Sequence, residues 1–313
     1  MTKNLSLLAA GVIALGFASS AALAASSRTF VSGTGSDAGA CPVTTPCRTF
    51  AYALTQTAPS GEIIVLSSAG YGTLTITQAV SIINVGYFAG VTVTSGNGIA
   101  INAGTSDSVT LRGLTIDGGG TGSNGILFNS GGKLTIDQCN LQNFVGGTPT
   151  IGNGIFMQPT SGSHNIVITN TTASNNQSAG ISYLPPFHSP ATAAIVIDHA
   201  SANNNGNGII LDNAASLGAI TASVSNSIAS VNGSAGYYLN GVTVSLDSSY
   251  AHGNTDGVVA SSGTTLYLGR NVLTGNSNDG LSTGGATTNS YKDNRIAGNG
   301  TQVSATPGTA TLY

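Results

Sequence analysis

The stretch Asn207-Gly208-Ile209-Ile210-Leu211 is one copy of a motif that recurs through most of the chain. In each copy a glycine precedes a large apolar residue, and the next copy follows 21 to 29 residues later. The copies are Gly98-Ile99, Gly125-Ile126, Gly154-Ile155, Gly180-Ile181, Gly208-Ile209, Gly236-Tyr237, Gly257-Val258 and Gly280-Leu281. A period in the twenties is typical of a solenoid, in which each repeat forms one coil and stacks on the next. The motif therefore predicts one elongated domain rather than separate globules.

The segments between these glycines predict further β-strands. In one repeat, Ile195-Val196-Ile197 forms an alternating segment, and Ala200-Ser201-Ala202 follows after a short bend. Alternation places the apolar side chains on one face of a strand, toward the interior. Three short strands per repeat, with no helical periodicity between them, predict an all-β chain folded as a parallel β-helix over residues 61–300. A mean repeat of about 26 residues gives about ten coils.

Asparagines recur where the third part of each repeat ends. Asparagine tolerates the left-handed backbone of a tight turn, and its side-chain amide can hydrogen-bond to its neighbours. Stacked on successive coils about 4.8 Å apart, such residues form a ladder along the solenoid. The predicted members are Asn143, Asn175, Asn204, Asn232, Asn254, Asn276 and Asn299.

The first 24 residues predict a signal peptide. Lys3 supplies a positive start, residues 5–17 are apolar, and Ala22-Leu23-Ala24 fits a small-x-small cleavage site. The apolar run is shorter than the roughly 20 residues that span a bilayer, and no second such run follows. We therefore expect an exported protein, secreted or periplasmic, with no membrane span after cleavage.

Residues 25–60 predict an N-terminal cap, because a solenoid must cover the open end of its core. The segment contains a short helix at 49–58, which Pro59-Ser60-Gly61 ends. Cys41 and Cys47 flank a five-residue loop that suits a local disulfide. Residues 301–313 are expected to form a C-terminal tail or a last strand, or to pair with another molecule.

Composition excludes some partners. Charged residues make up only 6% of the 313 residues, and 40% are hydrophobic, which is unlike a disordered chain. Without Lys3, 7 basic residues face 11 acidic ones, a net charge of −4. No basic stripe is present, so nucleic acid is not expected as a partner.

The repeat over 61–300 resembles the pectin-lyase-like right-handed parallel β-helix proteins of exported bacterial origin. The segment from Cys41 to Leu54 also resembles the short-helix entry ahead of such solenoids. The resemblance implies the fold with a short N-terminal capping helix, and an extended ligand, a polysaccharide, on the lateral face. It leaves the activity open, because the fold carries lyases, hydrolases, epimerases and adhesins.

Lyases of this fold use carboxylates that bind calcium and a basic residue that removes a sugar proton. Asp256 and Asp279 fall in one column immediately before the glycine motif, where most earlier coils carry asparagine. Adjacent carboxylates share a proton or attract a cation, so this pair is a candidate calcium site, with Arg270 as a candidate base. The alternative is that aspartate replaces asparagine in a turn. The arginine pattern of pectate lyases and the aspartate signatures of polygalacturonase-type hydrolases are absent.

The residue after each Gly-Ile pair should face outward, yet it is often large and apolar. This predicted stripe consists of Ala100, Leu127, Phe156, Ser182, Ile210, Tyr238, Val259 and Ser282. The longest insertion, 184–193, leaves the same strand and could fold over the stripe. An exposed apolar stripe is often a binding surface, and the alternative is that the loop only shields it. The candidate ligand-binding residues are Phe156, Tyr183, Phe187, Ile210 and Tyr238.

Three functions follow as hypotheses. The first is binding of a polysaccharide along the lateral face. The second is a polysaccharide lyase or hydrolase acting on acidic glycans at Asp256 and Asp279. The third is a surface adhesin or structural module that assembles through its C-terminal end.

Overall fold

The computed structural model describes residues 25–146 and 152–310, and it is a parallel β-helix of about nine turns. The predicted all-β solenoid is thus confirmed, with about nine turns where about ten were expected. The predicted signal peptide, 1–24, lies outside the described residues. Within those residues, no helix is both long enough and apolar enough to cross a membrane.

Within the described ranges, the chain passes in turn through three parallel sheets, named here A, B and C, with 12, 10 and 10 strands. Sheet A consists of Ser26–Val31, Thr57–Val65, Val80–Ile83, Ser108–Arg112, Lys133–Asp137, Ser163–Thr169, Thr192–Asp198, Ile220–Ser225, Thr243–Asp247, Thr265–Gly269, Thr287–Ser290 and Gly308–Thr309. Sheet B consists of Ala69–Gly70, Ala89–Thr92, Leu114–Asp117, Asn140–Gln142, Thr172–Ser174, Ser201–Asn203, Ile228–Ser230, Tyr250–His252, Val272–Thr274 and Arg295–Ala297. Sheet C consists of Leu74–Ile76, Asn97–Asn102, Asn124–Ser130, Asn153–Met157, Ala179–Tyr183, Asn207–Asp212, Ala235–Asn240, Asp256–Ala260, Asp279–Ser282 and Thr301–Val303.

The glycine motif lies at the start of the sheet C strands, where the backbones of successive coils come close together. A Cβ atom on Gly208 would lie 2.4 Å from the carbonyl oxygen of Gly236 and 3.0 Å from the side-chain amide of Asn232. Any larger residue would push the coils apart, so the glycine is required by space. The apolar residue after it, such as Ile209, is fully buried and stacks in register on Ile181 and Tyr237.

A ladder of buried asparagine side chains joins the coils between sheets B and C. The side-chain nitrogen of Asn205 lies 3.3 Å from Oδ1 of Asn232, and that of Asn232 lies 2.9 Å from Oδ1 of Asn254. The ladder consists of Asn176, Asn205, Asn232, Asn254, Asn276 and Asn299. At its end Gln302 folds back, and its Oε1 lies 3.2 Å from the side-chain nitrogen of Asn299.

The predicted ladder is wrong by one residue in the early coils. Asn143, Asn175 and Asn204 have left-handed backbone, with φ of 62°, 57° and 56°, and they form the turn immediately before the ladder position. In the later coils the same turn position is occupied by Val231, Gly253, Gly275 and Gly298. The turn and the ladder therefore form two separate columns.

The segment predicted as a cap contributes both a cap and a strand. Helix α1, Phe50–Gln56, begins after Thr49, whose hydroxyl accepts a hydrogen bond from the Tyr52 backbone N–H. Phe50, Ala53 and Leu54 are buried in the core. The Cys41–Cys47 disulfide is present as predicted.

The predicted boundary at residue 60 differs from the strand pattern, whereas strands in 301–313 are compatible with the tail or last strand that was expected there. Ser26–Val31 pairs in parallel with Thr57–Val65, so sheet A already begins within residues 25–60. At the other end, Thr301–Val303 and Gly308–Thr309 add strands to sheets C and A, and residues 311–313 lie outside the described part.

The third cysteine, Cys139, is free and buried, and desolvation raises the pKa of its thiol to about 12.

Candidate binding face on sheet C

The outward residues of sheet C form one column along the solenoid. Ile210 lies opposite Ser182 on one side and Tyr238 on the other, and Tyr238 in turn lies opposite Val259. The same register continues through Ala100, Leu127 and Phe156. The column therefore contains the residues that the aligned motifs predict.

The stripe is accessible only in part. The candidate Phe156 is 4% exposed and Ser182 is 2% exposed, so neither offers a surface to a ligand. Ile210, Tyr238 and Val259 are half-buried and open to solvent. The accessible apolar surface is thus shorter than predicted, and Phe156 is not available as a stacking residue.

Tyr183 is also unavailable, because it faces the core. In the strand Ala179–Tyr183, Ile181 and Tyr183 point inward on either side of outward Ser182, and Tyr183 is fully buried. Burial raises the pKa of its hydroxyl, which has no hydrogen-bond partner in the described part of the chain. The prediction of Tyr183 as a ligand-binding residue is therefore wrong.

The long insertion stands beside the stripe, against the next coil. The His188 backbone N–H donates to the Ala215 carbonyl at 2.7 Å, and the Leu217 N–H donates to the Ser189 carbonyl at 2.8 Å. Phe187 is 74% exposed, and its ring centroid lies 3.7 Å from that of His188. Phe187 therefore remains an exposed aromatic residue at the side of the face rather than a cover over it.

Polar side chains flank the apolar column on the side where the strands begin. Oδ1 of Asn124 accepts the Asn153 backbone N–H at 3.1 Å, and Oδ1 of Asn207 accepts the Ala235 N–H at 3.1 Å. In this way each side chain satisfies a backbone donor of the next coil. The column is the predicted one: Asn97, Asn124, Asn153, Ala179, Asn207, Ala235, Asp256 and Asp279.

A second polar column flanks the other side, and sequence reasoning missed it. Asn129 donates to Oδ1 of Asn102 at 2.8 Å, and Asn240 donates to Oδ1 of Asp212 at 3.1 Å. Asp212 and Asn240 each follow a buried leucine at the end of the strand, so extending the aligned motif by two residues would have found them. The outer face of sheet C is thus an apolar column between two columns of amides and carboxylates.

An open depression of about 260 Å³ lies on this face in the middle of the solenoid. Leu184, Ile210 and Tyr238 provide its apolar surface. Its full lining is Leu184, Asn207, Ile210, Asp212, Ser234 and Tyr238. The depression combines an aromatic ring and aliphatic side chains with amide, hydroxyl and carboxylate groups.

Within the candidate acid pair, Asp256 performs the same role as the asparagines in its column. Oδ1 of Asp256 accepts the Asp279 backbone N–H at 3.0 Å and the Asn278 side-chain amide at 2.8 Å. Calcium takes about six to eight oxygen ligands. Two carboxylates, with one oxygen already occupied by two N–H groups, do not supply such a set. Among the described residues, no three or more acidic, histidine or cysteine side chains are grouped so that they could hold a metal ion. The residues present do not fit a calcium site.

Arg270 lies at a different corner from Asp256 and Asp279. It follows the sheet A strand Thr265–Gly269 and precedes a strand of sheet B, whereas the two acids begin strands of sheet C. Its guanidinium pairs with Asp247, and its Nε donates to the Ser248 hydroxyl at 2.9 Å. The structure therefore separates the candidate base from the candidate acids.

The same corner between sheets A and B contains a strongly hydrogen-bonded carboxylate. Asp198 accepts hydrogen bonds from the Ser225 hydroxyl at 2.7 Å and from the Asn226 amide at 2.8 Å. His199 lies 2.7 Å from its other oxygen. These hydrogen bonds lower the pKa of Asp198 to about 2, and the hydrogen bond from Ser225 contributes most to the shift. The arrangement holds the turn together and lies away from sheet C.

No protein-family model and no curated protein sequence matches this chain. Two solved structures are similar. The crystal structure of pectate lyase Pel9A matches with a TM-score of 0.53 and 12% identity, over 91% of this chain and 78% of that one. The A-module of the mannuronan C-5 epimerase AlgE4 of Azotobacter vinelandii matches with a TM-score of 0.47 and 15% identity, over 81% of this chain and 91% of that one. The chain therefore has the parallel β-helix fold that is seen in pectate lyase.

Proposed function

We propose that this protein binds a polysaccharide on the outer face of sheet C, centred on the depression at Ile210 and Tyr238. The observation that carries the proposal is the half-buried Tyr238 ring beside Ile210, with Asn207, Asp212 and Ser234 around them. A sugar ring presents C–H groups on its faces and hydroxyls at its rim. The apolar column can pack against the former, while the amide and carboxylate columns can exchange hydrogen bonds with the latter.

Two further observations support the proposal. One similar structure is by name a pectate lyase, an enzyme that acts on a polysaccharide. The Cys41–Cys47 disulfide is consistent with an oxidising compartment outside the cytoplasm, where polymeric glycans are found. Secretion or a periplasmic location, through the predicted signal peptide, belongs to the proposal.

Affinity electrophoresis against a panel of soluble polysaccharides tests it. Tyr238→Ala should weaken binding by about tenfold, because losing an aromatic contact costs on the order of 1.4 kcal/mol. Tyr267→Ala is the matched control, since Tyr267 is an outward tyrosine on sheet A with 37% exposure. Absence of binding to every polymer, or equal losses in the two variants, would contradict the proposal.

An enzymatic role is the second candidate, and one observation favours it. The Asp279 carboxylate lies at the edge of the same face and accepts no hydrogen bond from the described residues, unlike that of Asp256. As a lyase or hydrolase, the protein would release unsaturated products or reducing ends from uronate polymers. Activity abolished by Asp279→Asn would support this role, and no turnover by the wild-type protein would exclude it for the polymers tested.

A further inference from the structure

The face on sheet C differs in charge from the rest of the molecule. Its ten strands, all within the described residues, contain no lysine or arginine. In the described chain, each basic residue lies on a strand of sheet A or B, close to the end of such a strand, or beside helix α1. These residues are Arg28, Arg48, Arg112, Lys133, Arg270, Lys292 and Arg295. Three of them are already paired with carboxylates, namely Arg28 with Glu62, Arg112 with Asp137 and Arg270 with Asp247.

The charges that the face does contain are negative. Asp212 lines the depression, and Asp256 and Asp279 begin the strands of the next two coils beyond Tyr238. All three residues are half-buried, so a ligand can reach their carboxylates. Because these charges are partly buried, salt screens them less than it screens fully exposed charges. Oδ1 of Asp212 accepts from the Asn240 amide at 3.1 Å and from the Ala214 N–H at 3.1 Å. A carboxylate on a ligand would therefore meet repulsion here and no counter-ion.

The remaining polar groups suit hydroxyls. Asn207, Asn240 and Ser234 each offer both a donor and an acceptor, and a carboxylate such as Asp212 accepts from hydroxyl groups. Ile210, Tyr238 and Val259 follow one another on successive coils, so the apolar surface is elongated along the solenoid axis with a spacing of about 4.8 Å. An extended chain of hydroxyl-bearing rings fits this arrangement.

We infer that the ligand is a neutral glycan without uronate or sulfate groups, lying parallel to the solenoid axis across Ile210, Tyr238 and Val259. This inference rests on the proposed polysaccharide binding and adds the chemical class of the polymer. It differs from the acidic glycans that the sequence-based enzyme hypothesis named, because electrostatic complementarity to a polyanion requires basic groups that sheet C does not contain.

Matched polymer pairs test the inference with the full chain. Binding of β-1,4-mannan is compared with that of polymannuronate, since this pair has the same linkage and differs chiefly in its carboxylates. Galactan and polygalacturonate, which differ in anomeric linkage as well, form a second pair. We expect the neutral member to bind at least tenfold more tightly at low salt. The difference should shrink as salt is added, because salt screens the repulsion.

A double variant isolates the cause. The double variant carries Asp256→Asn and Asp279→Asn. Asparagine already occupies this column at Asn97, Asn124, Asn153 and Asn207, so the fold should be kept. It should improve binding of the uronate polymers several-fold relative to their neutral partners, because an amide removes the negative charge and keeps an oxygen that accepts from hydroxyls. Asp198→Asn, on the corner between sheets A and B, is the control and should change neither.

The outcomes separate the two proposals. Tighter binding of polygalacturonate and polymannuronate than of their neutral partners would overturn the inference while leaving polysaccharide binding intact. Uronate binding that appears only with calcium and disappears with a chelator would overturn it as well. Failure of all four polymers, with no hit in the wider panel, would refute the proposed function itself.

Discussion

Asn254 provides the most direct test of what holds the coils in register. Its side chain is 2% exposed and makes four hydrogen bonds. The side-chain nitrogen donates to the Ala229 carbonyl and to Oδ1 of Asn276, both at 3.0 Å. Its oxygen accepts from the backbone and side-chain nitrogens of Asn232, both at 2.9 Å. Asn254→Ala removes all four and leaves two buried donors of Asn232 without acceptors.

The expected loss follows from these orphaned groups. Each buried donor left unpaired costs about 1–3 kcal/mol, so Asn254→Ala should lower the free energy of unfolding by about 2–6 kcal/mol. Asn254→Asp should be at least as damaging, because its second oxygen would face the Ala229 carbonyl and Oδ1 of Asn276, which are both acceptors. Urea unfolding followed by circular dichroism measures the difference.

Asn278→Ala is the matched control for this experiment. Asn278 is an exposed asparagine of the neighbouring coil with one side-chain hydrogen bond, to Asp256 at 2.8 Å. Its loss should cost no more than about 1 kcal/mol. If Asn254→Ala falls within about 0.5 kcal/mol of this control, which is the usual range for surface substitutions, the ladder does not stabilise the solenoid as argued.

Three further predictions concern the turns and the ends. Val231 is 58% exposed and has left-handed backbone, with φ of 57°. Val231→Gly should therefore raise the free energy of unfolding by about 1 kcal/mol, because glycine adopts this conformation without strain. Val196→Gly, in an extended strand, is the control and should lower the free energy of unfolding, and thermal melts of the two variants distinguish these outcomes. The pKa of Asp198 is lower in the folded state than its ordinary value of 3.8, so its stabilising contribution is present above about pH 4 and is lost as pH falls toward about 2. Unfolding of Asp198→Ala should therefore differ from wild type at pH 6 and converge with it near pH 2, and a constant difference would contradict this. The predicted self-association through 301–313 implies oligomers that grow with protein concentration in sedimentation velocity, and a monomer at every concentration would refute it.

The glycine motif predicted the strand register well, because steric exclusion at one backbone position leaves glycine as the only residue that fits. In the early coils the asparagine ladder was predicted one residue early for a physical reason. Asn175-Asn176 and Asn204-Asn205 place asparagine at both the left-handed turn and the ladder position. The sequence alone does not distinguish which amide turns inward, since both positions favour asparagine.

The candidate site was predicted less completely than the fold. The inward orientation of Tyr183 could have been predicted, because it lies two residues after buried Ile181 in the same strand. The burial of Phe156 could not, since its column faces outward and its accessibility depends on packing beyond its own strand. The separation of Arg270 from Asp256 depends on which corner each turn forms, and this requires the coil to be traced in three dimensions.

The asparagine ladder also affects how this protein can change over time. Successive ladder residues lie 29, 27, 22, 22 and 23 positions apart, yet the rung-to-rung amide contacts stay within 2.9 to 3.3 Å. The ladder thus keeps the spacing between coils constant, whatever the number of residues between successive ladder asparagines. Insertions such as 184–193 can lengthen or shorten at the corners without disturbing the neighbouring coils. A new recognition loop could therefore arise, or be grafted by design, at a small cost in stability.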